Sequence, residues 1–263
     1  MNLEQLKQRF PGAIQSAPEE VELKRPNHWH QHSRGLGWVE DTAHVTESAY
    51  VGPDAQVYEY ARVSENAQVC GDAWVSENAQ VCGDAWVYGN TWVYGNTWVY
   101  GNTWVYGDAR VYGDAWVFGN ARVSGHARVC GNARVYGDAL VYEDAWVFEN
   151  ALVSGHAQVY GNARVCGNAQ VYGNARVYGD AQVYGNAQLI SGTWEKSPLH
   201  IQGTRHSITY CAPDQIAIGC EIRSISEWLE QYEAIGRENG YTKAEIQEYK
   251  RHIDYMISNC NQK

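Results

Sequence analysis

Three histidines alternate along a short segment near the N-terminus, in Asn27-His-Trp-His-Gln-His32. In an extended chain His28, His30 and His32 would point to one side, where imidazole nitrogens can bind a divalent ion such as zinc. A solvated segment ahead of the repeats described below explains the same pattern, and we favour this interpretation. We therefore predict no resident metal.

Tryptophan is the second residue type that could form a functional site. Eight units of a six-residue repeat place Trp at an outward position where the other units mostly have Gln or Arg. Indole rings and guanidinium groups bind partners by stacking and by cation–π contacts. The eight residues are Trp38, Trp74, Trp86, Trp92, Trp98, Trp104, Trp116 and Trp146.

These tryptophans belong to an array of hexapeptides that spans residues 37–190. Val stands at every sixth position from Val39 to Val183, and Leu189 ends the series of 26 consecutive units. The pattern A-x-V-x-G-N/D alternates inward and outward residues and then bends, so each unit predicts one short strand and a corner. Gly tolerates positive φ at the corner, and Asn or Asp beside it can bond its own backbone.

The aliphatic residue is followed four positions later by a small one, as in Val159 and Ala163, which resembles the hexapeptide-repeat family. The resemblance implies an all-β solenoid, a left-handed triangular parallel β-helix in which 26 units make eight to nine coils. Tyr, Ser, Cys or Phe commonly follows the aliphatic residue here, where the family usually has a small or acidic one. This departure enlarges the outer surface without disturbing the core.

With three units per coil, six tryptophans fall onto three faces in stacked pairs, and the next coil adds an arginine above each pair. The predicted ladders are Trp74, Trp92 and Arg110; Trp86, Trp104 and Arg122; and Trp98, Trp116 and Arg134. Tyrosines flank them in the other outward row. Such ladders either stabilise an exposed sheet surface through cross-strand pairing or mark an interface with sister chains, a protein or a flat ligand.

The resemblance also raises acyltransferase activity, because many hexapeptide-repeat proteins are acyltransferases with a catalytic histidine near a loop extruded from the coils. The array has no such loop. The histidines in register are His44, His126 and His156, and the last two fall at corners on different edges. The three-histidine zinc pattern of the γ-class carbonic anhydrases is also absent. We expect no catalytic residue and no cofactor.

One corner of the array carries a column of mostly acidic and amide side chains. Asp54 and Asp72 would lie about 5 Å apart, a spacing that could attract a cation. The turn preference of Asp and Asn explains the column equally, and we favour it. The column is Asp54, Asp72, Asn90, Asp108, His126, Asp144, Asn162 and Asp180.

Residues 1–36 and 191–263 are expected to cap the open ends of the 37–190 array, which would otherwise pair end to end. A short N-terminal helix would bury Leu3, Leu6 and Phe10. In the tail, residues 199–218 predict short strands that two helices follow. This α+β tail resembles that of phage- and prophage-encoded hexapeptide-repeat proteins, and its helices could cap, oligomerise or do both.

Helix signals in the tail are specific. Ser226 is the expected N-cap of a helix that runs to Gly240, and Thr242 to Glu245 fits the capping box of a second helix. The expected buried face of the second helix is Ile246, Tyr249, Ile253 and Met256 or Ile257.

Composition limits the partners and the compartment. The net charge of −10 disfavours nucleic acid and anionic membranes. The chain has no membrane-spanning run and no signal peptide, so a cytoplasmic protein is expected. Of the repeat cysteines only Cys130 and Cys166 share a column, two coils apart, which is too far for a disulfide and predicts reduced thiols.

Charge is uneven along the array. Residues 39–117 carry eleven acidic and two basic residues, whereas residues 118–190 carry five acidic residues and five arginines. The leading hypothesis is a non-enzymatic binding or scaffold protein, phage-associated, that self-assembles as a trimer and presents its aromatic and arginine-bearing faces to a partner. Three alternatives remain: an acyltransferase, a sponge for a nucleotide-like signal at a subunit interface, and an acidic DNA mimic that occupies a host protein.

Overall fold

The computed structural model describes residues 28–260. Within them each hexapeptide supplies one short strand, and every third strand joins the same parallel sheet, so three strands complete one coil. Each of the three sheets contains nine parallel strands in this part of the chain. The structure therefore confirms the expected triangular parallel β-helix, here with nine coils.

The three sheets form three faces, with strands numbered in chain order. Face 1 contains β2 (Trp38–Glu40), β5 (Gln56–Val57), β8 (Trp74–Val75), β11 (Trp92–Val93), β14 (Arg110–Val111), β17 (Arg128–Val129), β20 (Trp146–Val147), β23 (Arg164–Val165) and β26 (Gln182–Val183). Face 2 contains β3 (His44–Val45), β6 (Arg62–Val63), β9 (Gln80–Cys82), β12 (Trp98–Gly101), β15 (Trp116–Gly119), β18 (Arg134–Val135), β21 (Leu152–Val153), β24 (Gln170–Val171) and β27 (Gln188–Leu189). Face 3 contains β4 (Tyr50–Val51), β7 (Gln68–Cys70), β10 (Trp86–Gly89), β13 (Trp104–Gly107), β16 (Arg122–Val123), β19 (Leu140–Val141), β22 (Gln158–Val159), β25 (Arg176–Val177) and β28 (Thr193–Trp194).

Valine and alanine columns fill the interior of the coils. Every repeat valine from Val51 to Val183 is 0% exposed. The strands stack in register, so that Val93 pairs with Val75 below it and Val111 above it. Because a β-branched side chain fits the pleated surface, each coil offers the next one the same apolar template.

The corners differ from the sequence expectation in their hydrogen bonds. Asn90 Nδ2 donates to Asp108 Oδ1 at 2.9 Å, and Asn96 Nδ2 donates to Asp114 Oδ1 at 2.9 Å, each pair one coil apart. We expected such side chains to bond their own backbone. The amides instead form ladders along each edge, because stacking brings equivalent positions within about 5 Å.

An antiparallel strand closes the first edge of face 1. Strand β1 (Trp29–Gln31) pairs with β2, with Trp29 opposite Glu40 and Gln31 opposite Trp38. The histidine segment is thus a paired strand rather than an unpaired solvated segment, although His28 and His30 are exposed to solvent. The expected helix around Leu3, Leu6 and Phe10 lies outside the described residues.

The last coil departs from the six-residue period. Strand β28 pairs with β25 so that Trp194 lies opposite Val177, an offset of 17 residues where the preceding coils use 18. Trp194 packs against the end of the core, and its Nε1 donates to the Ser191 carbonyl at 3.0 Å. A large side chain at the valine position thus covers the last coil.

The tail after the last coil is a four-stranded antiparallel sheet with two helices. Its elements are β29 (His200–Gln202), β30 (Ser207–Ala212), β31 (Gln215–Ile218), β32 (Glu221–Ser224), α1 (Ile225–Glu238) and α2 (Lys243–Cys260). Ile246, Tyr249, Ile253 and Met256 of α2 are buried as expected, whereas Ile257 is only partly buried. The sheet docks on the solenoid, where Ile190 N donates to the Cys211 carbonyl at 2.9 Å.

The expected N-cap at Ser226 is wrong, because the helix begins two residues earlier. Ser224 caps α1, accepting from the Glu227 backbone N–H, while the Glu227 carboxylate accepts from the Ser224 backbone N–H in a reciprocal capping box. These hydrogen bonds lower the pKa of the Glu227 carboxyl. The capping box predicted for α2 is confirmed, since Thr242 and Glu245 make the same exchange.

Ser224→Ala is expected to lower the free energy of unfolding by about 1 kcal/mol, the usual effect of removing an N-cap oxygen. Ser226→Ala is the matched control, since this serine lies inside the first turn, and its loss should cost less than about 0.5 kcal/mol. Chemical denaturation of both variants measures the two values. Equal losses would contradict the assignment of Ser224 as the cap.

Candidate functional site

The six tryptophans predicted to pair do stack, one pair on each face. The ring centroids of Trp74 and Trp92 are 5.0 Å apart with the planes 9° from parallel. Trp86 and Trp104 are separated by 5.3 Å at 7°. Trp98 and Trp116 are separated by 5.5 Å at 19°. Parallel, in-register strands cause this arrangement, since identical side chains one coil apart take the same rotamer and lie face to face.

An arginine covers the second tryptophan of each pair, the one later in the chain, as the sequence predicts. The guanidinium carbon of Arg110 lies 4.9 Å from the centre of the Trp92 ring. Arg122 lies 5.3 Å from the Trp104 ring, and Arg134 lies 5.6 Å from the Trp116 ring. Each contact is worth about 0.5–1 kcal/mol at an exposed site, so the ladders also stabilise the faces that display them.

Tyrosine and phenylalanine form a second aromatic row beside the indoles. Tyr88 stacks on Tyr106 at 5.0 Å, and Tyr94 stacks on Tyr112 at 5.1 Å. Desolvation, with a further contribution from Cys130, raises the pKa of Tyr112 to about 12. The phenol therefore stays neutral at physiological pH. The row contributes flat, uncharged surface next to the cationic ends of the ladders.

Stacking hides much of each indole, so the ladders expose ring edges more than ring faces. Trp86, Trp98 and Trp116 remain 37–38% exposed, and the other three ladder tryptophans are partly buried. Each ladder thus presents fixed indole edges and one guanidinium group to solvent. Rigid aromatic and arginine surface of this kind is typical of the residues that dominate binding energies.

A second arginine–tryptophan arrangement lies further along face 1. The guanidinium carbons of Arg128 and Arg164 lie 5.6 Å and 5.7 Å from the Trp146 ring, one on each side. Sequence reasoning identified Trp146 as outward-facing but did not assign it neighbours. The 18-residue spacing of Arg128, Trp146 and Arg164 is sufficient to predict that the three side chains are neighbours.

A groove runs beside the face 1 ladder at one corner of the prism. It encloses about 230 Å³. On its corner side, Asp108 accepts a hydrogen bond from Asn90 and lies 3.7 Å from the Nδ1 atom of His126. The residues that line it are Asn90, Trp92, Asp108, Arg110, His126 and Arg128.

The remaining histidines do not gather into one site. His28 and His30 lie 3.4 Å and 3.2 Å from the carboxylate oxygens of Asp41, whereas His32 is buried and its Nδ1 atom bonds the backbone of Arg34. Within residues 28–260 no cluster of three or more His, Cys, Asp or Glu side chains is placed to hold a metal ion.

The other candidate histidines of the array lie apart from one another. His126 and His156 pair with Asp108 and Asp138 on different edges of the prism. His44 lies on face 2, in β3, opposite Arg62. The corner column is a ladder of turn residues, in which Asn162 Nδ2 donates to Asp180 Oδ1 at 3.0 Å.

Six cysteines are unpaired thiols in the structure. Cys70, Cys82, Cys130, Cys166, Cys211 and Cys220 are all free. Burial raises the pKa of the Cys211 thiol to about 11, so this side chain is not a nucleophile at neutral pH. Cys130 is buried, and its Sγ accepts a hydrogen bond from the Trp146 Nε1 atom at 3.3 Å.

Comparison with known proteins finds the same type of repeat. Seven segments match the family described as YdcK beta solenoid repeat, namely residues 67–83, 79–95, 104–119, 127–143, 133–149, 157–170 and 169–185. No curated protein matches the chain. A similar solved structure is the UDP-N-acetylglucosamine O-acyltransferase (LpxA) of Moraxella catarrhalis RH4, with 14% identity, a TM-score of 0.43 and coverage of 84% of this chain and 93% of that chain.

Neither α1 nor α2, the helices of the described residues, combines the length and the apolar character that crossing a membrane requires. The six-residue period, the three parallel sheets and the matched segments all describe one architecture. The chain is a repeat protein of the parallel β-helix class.

Proposed function

We propose that this protein is a non-enzymatic binding scaffold that self-associates through its Trp-Trp-Arg faces, with a trimer as the assembly. The observation that carries the proposal is the repetition of one ladder, an indole pair covered by a guanidinium, on all three faces. Most other units have Gln or Arg at the same outward position. The ladders thus concentrate the residue types that dominate protein interfaces in a few neighbouring coils.

Structural stability alone does not require this arrangement. The valine and alanine columns are fully buried from Ala49 to Ala187, including coils that hold Gln, Arg or Leu at the positions where other coils hold Trp. Those coils have the same backbone ladder as the coils that display tryptophan. Rigid indole edges also bind without losing much side-chain entropy, because each ring is already held by its neighbours.

We also propose a cytoplasmic location, which the six free thiols support. A phage or prophage source is a further proposal, based on the likeness of the tail to that of phage-encoded hexapeptide-repeat proteins. The tail could itself oligomerise, and the test of self-association therefore includes it.

The test is the molar mass in solution. Wild-type protein is expected at three times 29.5 kDa, and a Trp92→Ala/Trp104→Ala/Trp116→Ala variant is expected to move toward 29.5 kDa. Each substitution removes the indole that lies between a tryptophan and an arginine. Size-exclusion chromatography with light scattering measures the mass, and circular dichroism checks that the valine core keeps the variant folded.

Tyr255→Ala is the control, because Tyr255 is 54% exposed on α2, far along the chain from the ladders. It should leave the mass unchanged. A monomeric wild type would exclude self-association. If the Tyr255 variant dissociates and the triple tryptophan variant stays assembled, the interface lies in the tail.

A further inference from the structure

Face 1 differs from the other two faces in the coil above its ladder. On face 2 the register neighbour of Arg134 is Leu152, and on face 3 the register neighbour of Arg122 is Leu140. On face 1 Arg110 is followed by Arg128. Only this ladder, among the described residues, therefore ends in two adjacent arginines.

Each of the two guanidinium groups contacts a tryptophan ring on the side that faces away from the other arginine. Arg110 covers the Trp92 ring at 4.9 Å, and Arg128 covers the Trp146 ring on the opposite side at 5.6 Å. Both side chains are exposed, and neither has a carboxylate within salt-bridge distance in the part of the chain that the structure describes. Two like charges about 5 Å apart repel by roughly 1 kcal/mol in water, and an anion that contacts both removes that cost.

The groove at this corner provides the space for such an anion. Its volume of about 230 Å³, with Arg110 and Arg128 in its wall, lies below the roughly 300–1,000 Å³ of sites that enclose a drug-sized ligand. The acidic side chain of the wall, Asp108, is engaged by the Asn90 amide and by His126. The charged groups of the wall that lack a partner of opposite charge are thus the two arginines.

We infer that this groove binds the phosphate group of a small molecule through the guanidinium groups of Arg110 and Arg128 in its wall. The inference deepens the proposed binding role and rests on it. Paired guanidinium groups match the oxygens of a phosphate, and each hydrogen bond between the two is charge-assisted. The Trp92 ring cannot stack on a ligand base, since Trp74 covers one side and Arg110 the other. Recognition therefore depends on the phosphate.

Isothermal titration of the full chain in phosphate-free buffer at low ionic strength tests this site. The probes are inorganic phosphate, adenosine monophosphate and adenosine, which separate the anion from the ring that carries it. Inorganic phosphate and adenosine monophosphate are expected to bind saturably with one site per chain, and adenosine is expected not to bind. Tighter binding of the monophosphate would identify nucleotides as the source of the phosphate, and equal binding would identify the phosphate group alone.

Arg128→Gln and Arg122→Gln form a matched pair of variants. Each removes one exposed arginine that covers a tryptophan, but only Arg128 has an arginine neighbour with the groove beside it. Arg128→Gln is expected to weaken phosphate binding about tenfold, the equivalent of one charge-assisted contact. Arg122→Gln should change it by less than about twofold.

Equal losses in the two variants, binding of adenosine as tight as that of the monophosphate, or no saturable binding of any probe would overturn the inference. Light scattering on the same samples measures the molar mass, which tests self-association separately from phosphate binding. If the chain assembles through its tryptophans but binds no phosphate, only the anion site is excluded. If the chain is monomeric and binds phosphate, only self-association is excluded.

Discussion

Gly173→Ala is expected to destabilise the protein by more than about 3 kcal/mol, the upper end of the range for one strained backbone position. Gly173 lies at a corner with φ +63°, and an added Cβ would lie 2.2 Å from the Ile190 carbonyl oxygen. The offset of 17 residues between β25 and β28 explains this close approach, because it brings the chain after Leu189 over the corner. The Ile190 N–H donates to the Cys211 carbonyl of the tail at 2.9 Å, so Ile190 cannot withdraw from the corner without disturbing that contact.

Gly240→Ala separates conformational strain from steric contact. Gly240 has φ +69°, but an added Cβ would meet nothing within 4 Å. This variant should lose only about 1–2 kcal/mol, the cost of a left-handed alanine. Denaturant unfolding followed by tryptophan fluorescence measures both. Similar losses in the two variants would mean that the Ile190 carbonyl does not crowd the Gly173 corner.

The interior and the ladders could be predicted because they follow from one period. Once three units make a coil, Val93 must lie between Val75 and Val111, and Trp74 must lie beneath Trp92. Parallel in-register pairing turns a sequence spacing of 18 directly into a contact. The same rule would have placed Arg128 and Arg164 around Trp146.

Segments that do not follow the six-residue repeat could not be predicted in the same way. The pairing of β1 with β2 joins an aperiodic segment to the array, and only the chain reversal after it determines the register. Ser224 and Ser226 both precede a possible helix. Ser224 is the cap because β32 extends to that residue, and the helix can begin only after it.

The groove depends on three-dimensional detail that the spacing does not contain. Sequence spacing places Arg128 above Arg110. Each side chain also contacts a tryptophan ring, Trp92 below Arg110 and Trp146 above Arg128. The groove beside the two arginines has Asn90, Asp108 and His126 in its wall as well, and its shape is a result of the structure.

Single-face variants are expected to give unequal results, although the three ladders are alike. In a closed trimer each subunit meets its two neighbours through two different surfaces, so two faces are buried and one remains in solvent. Trp92→Ala, Trp116→Ala and Trp104→Ala remove the equivalent ring from faces 1, 2 and 3. A buried aromatic contact at an interface contributes about 2 kcal/mol to binding. Its loss is expected to lower the affinity of that subunit contact about thirtyfold.

The most direct measurement is the weight-average molar mass of these three variants and the wild type across a dilution series, by light scattering. The wild type and one variant are expected to remain at three times 29.5 kDa, while the other two variants fall toward 29.5 kDa on dilution. A wild type at 29.5 kDa at every concentration, unchanged by all three substitutions, would contradict this expectation. The ladders would then stabilise the surface of a monomer and form no interface.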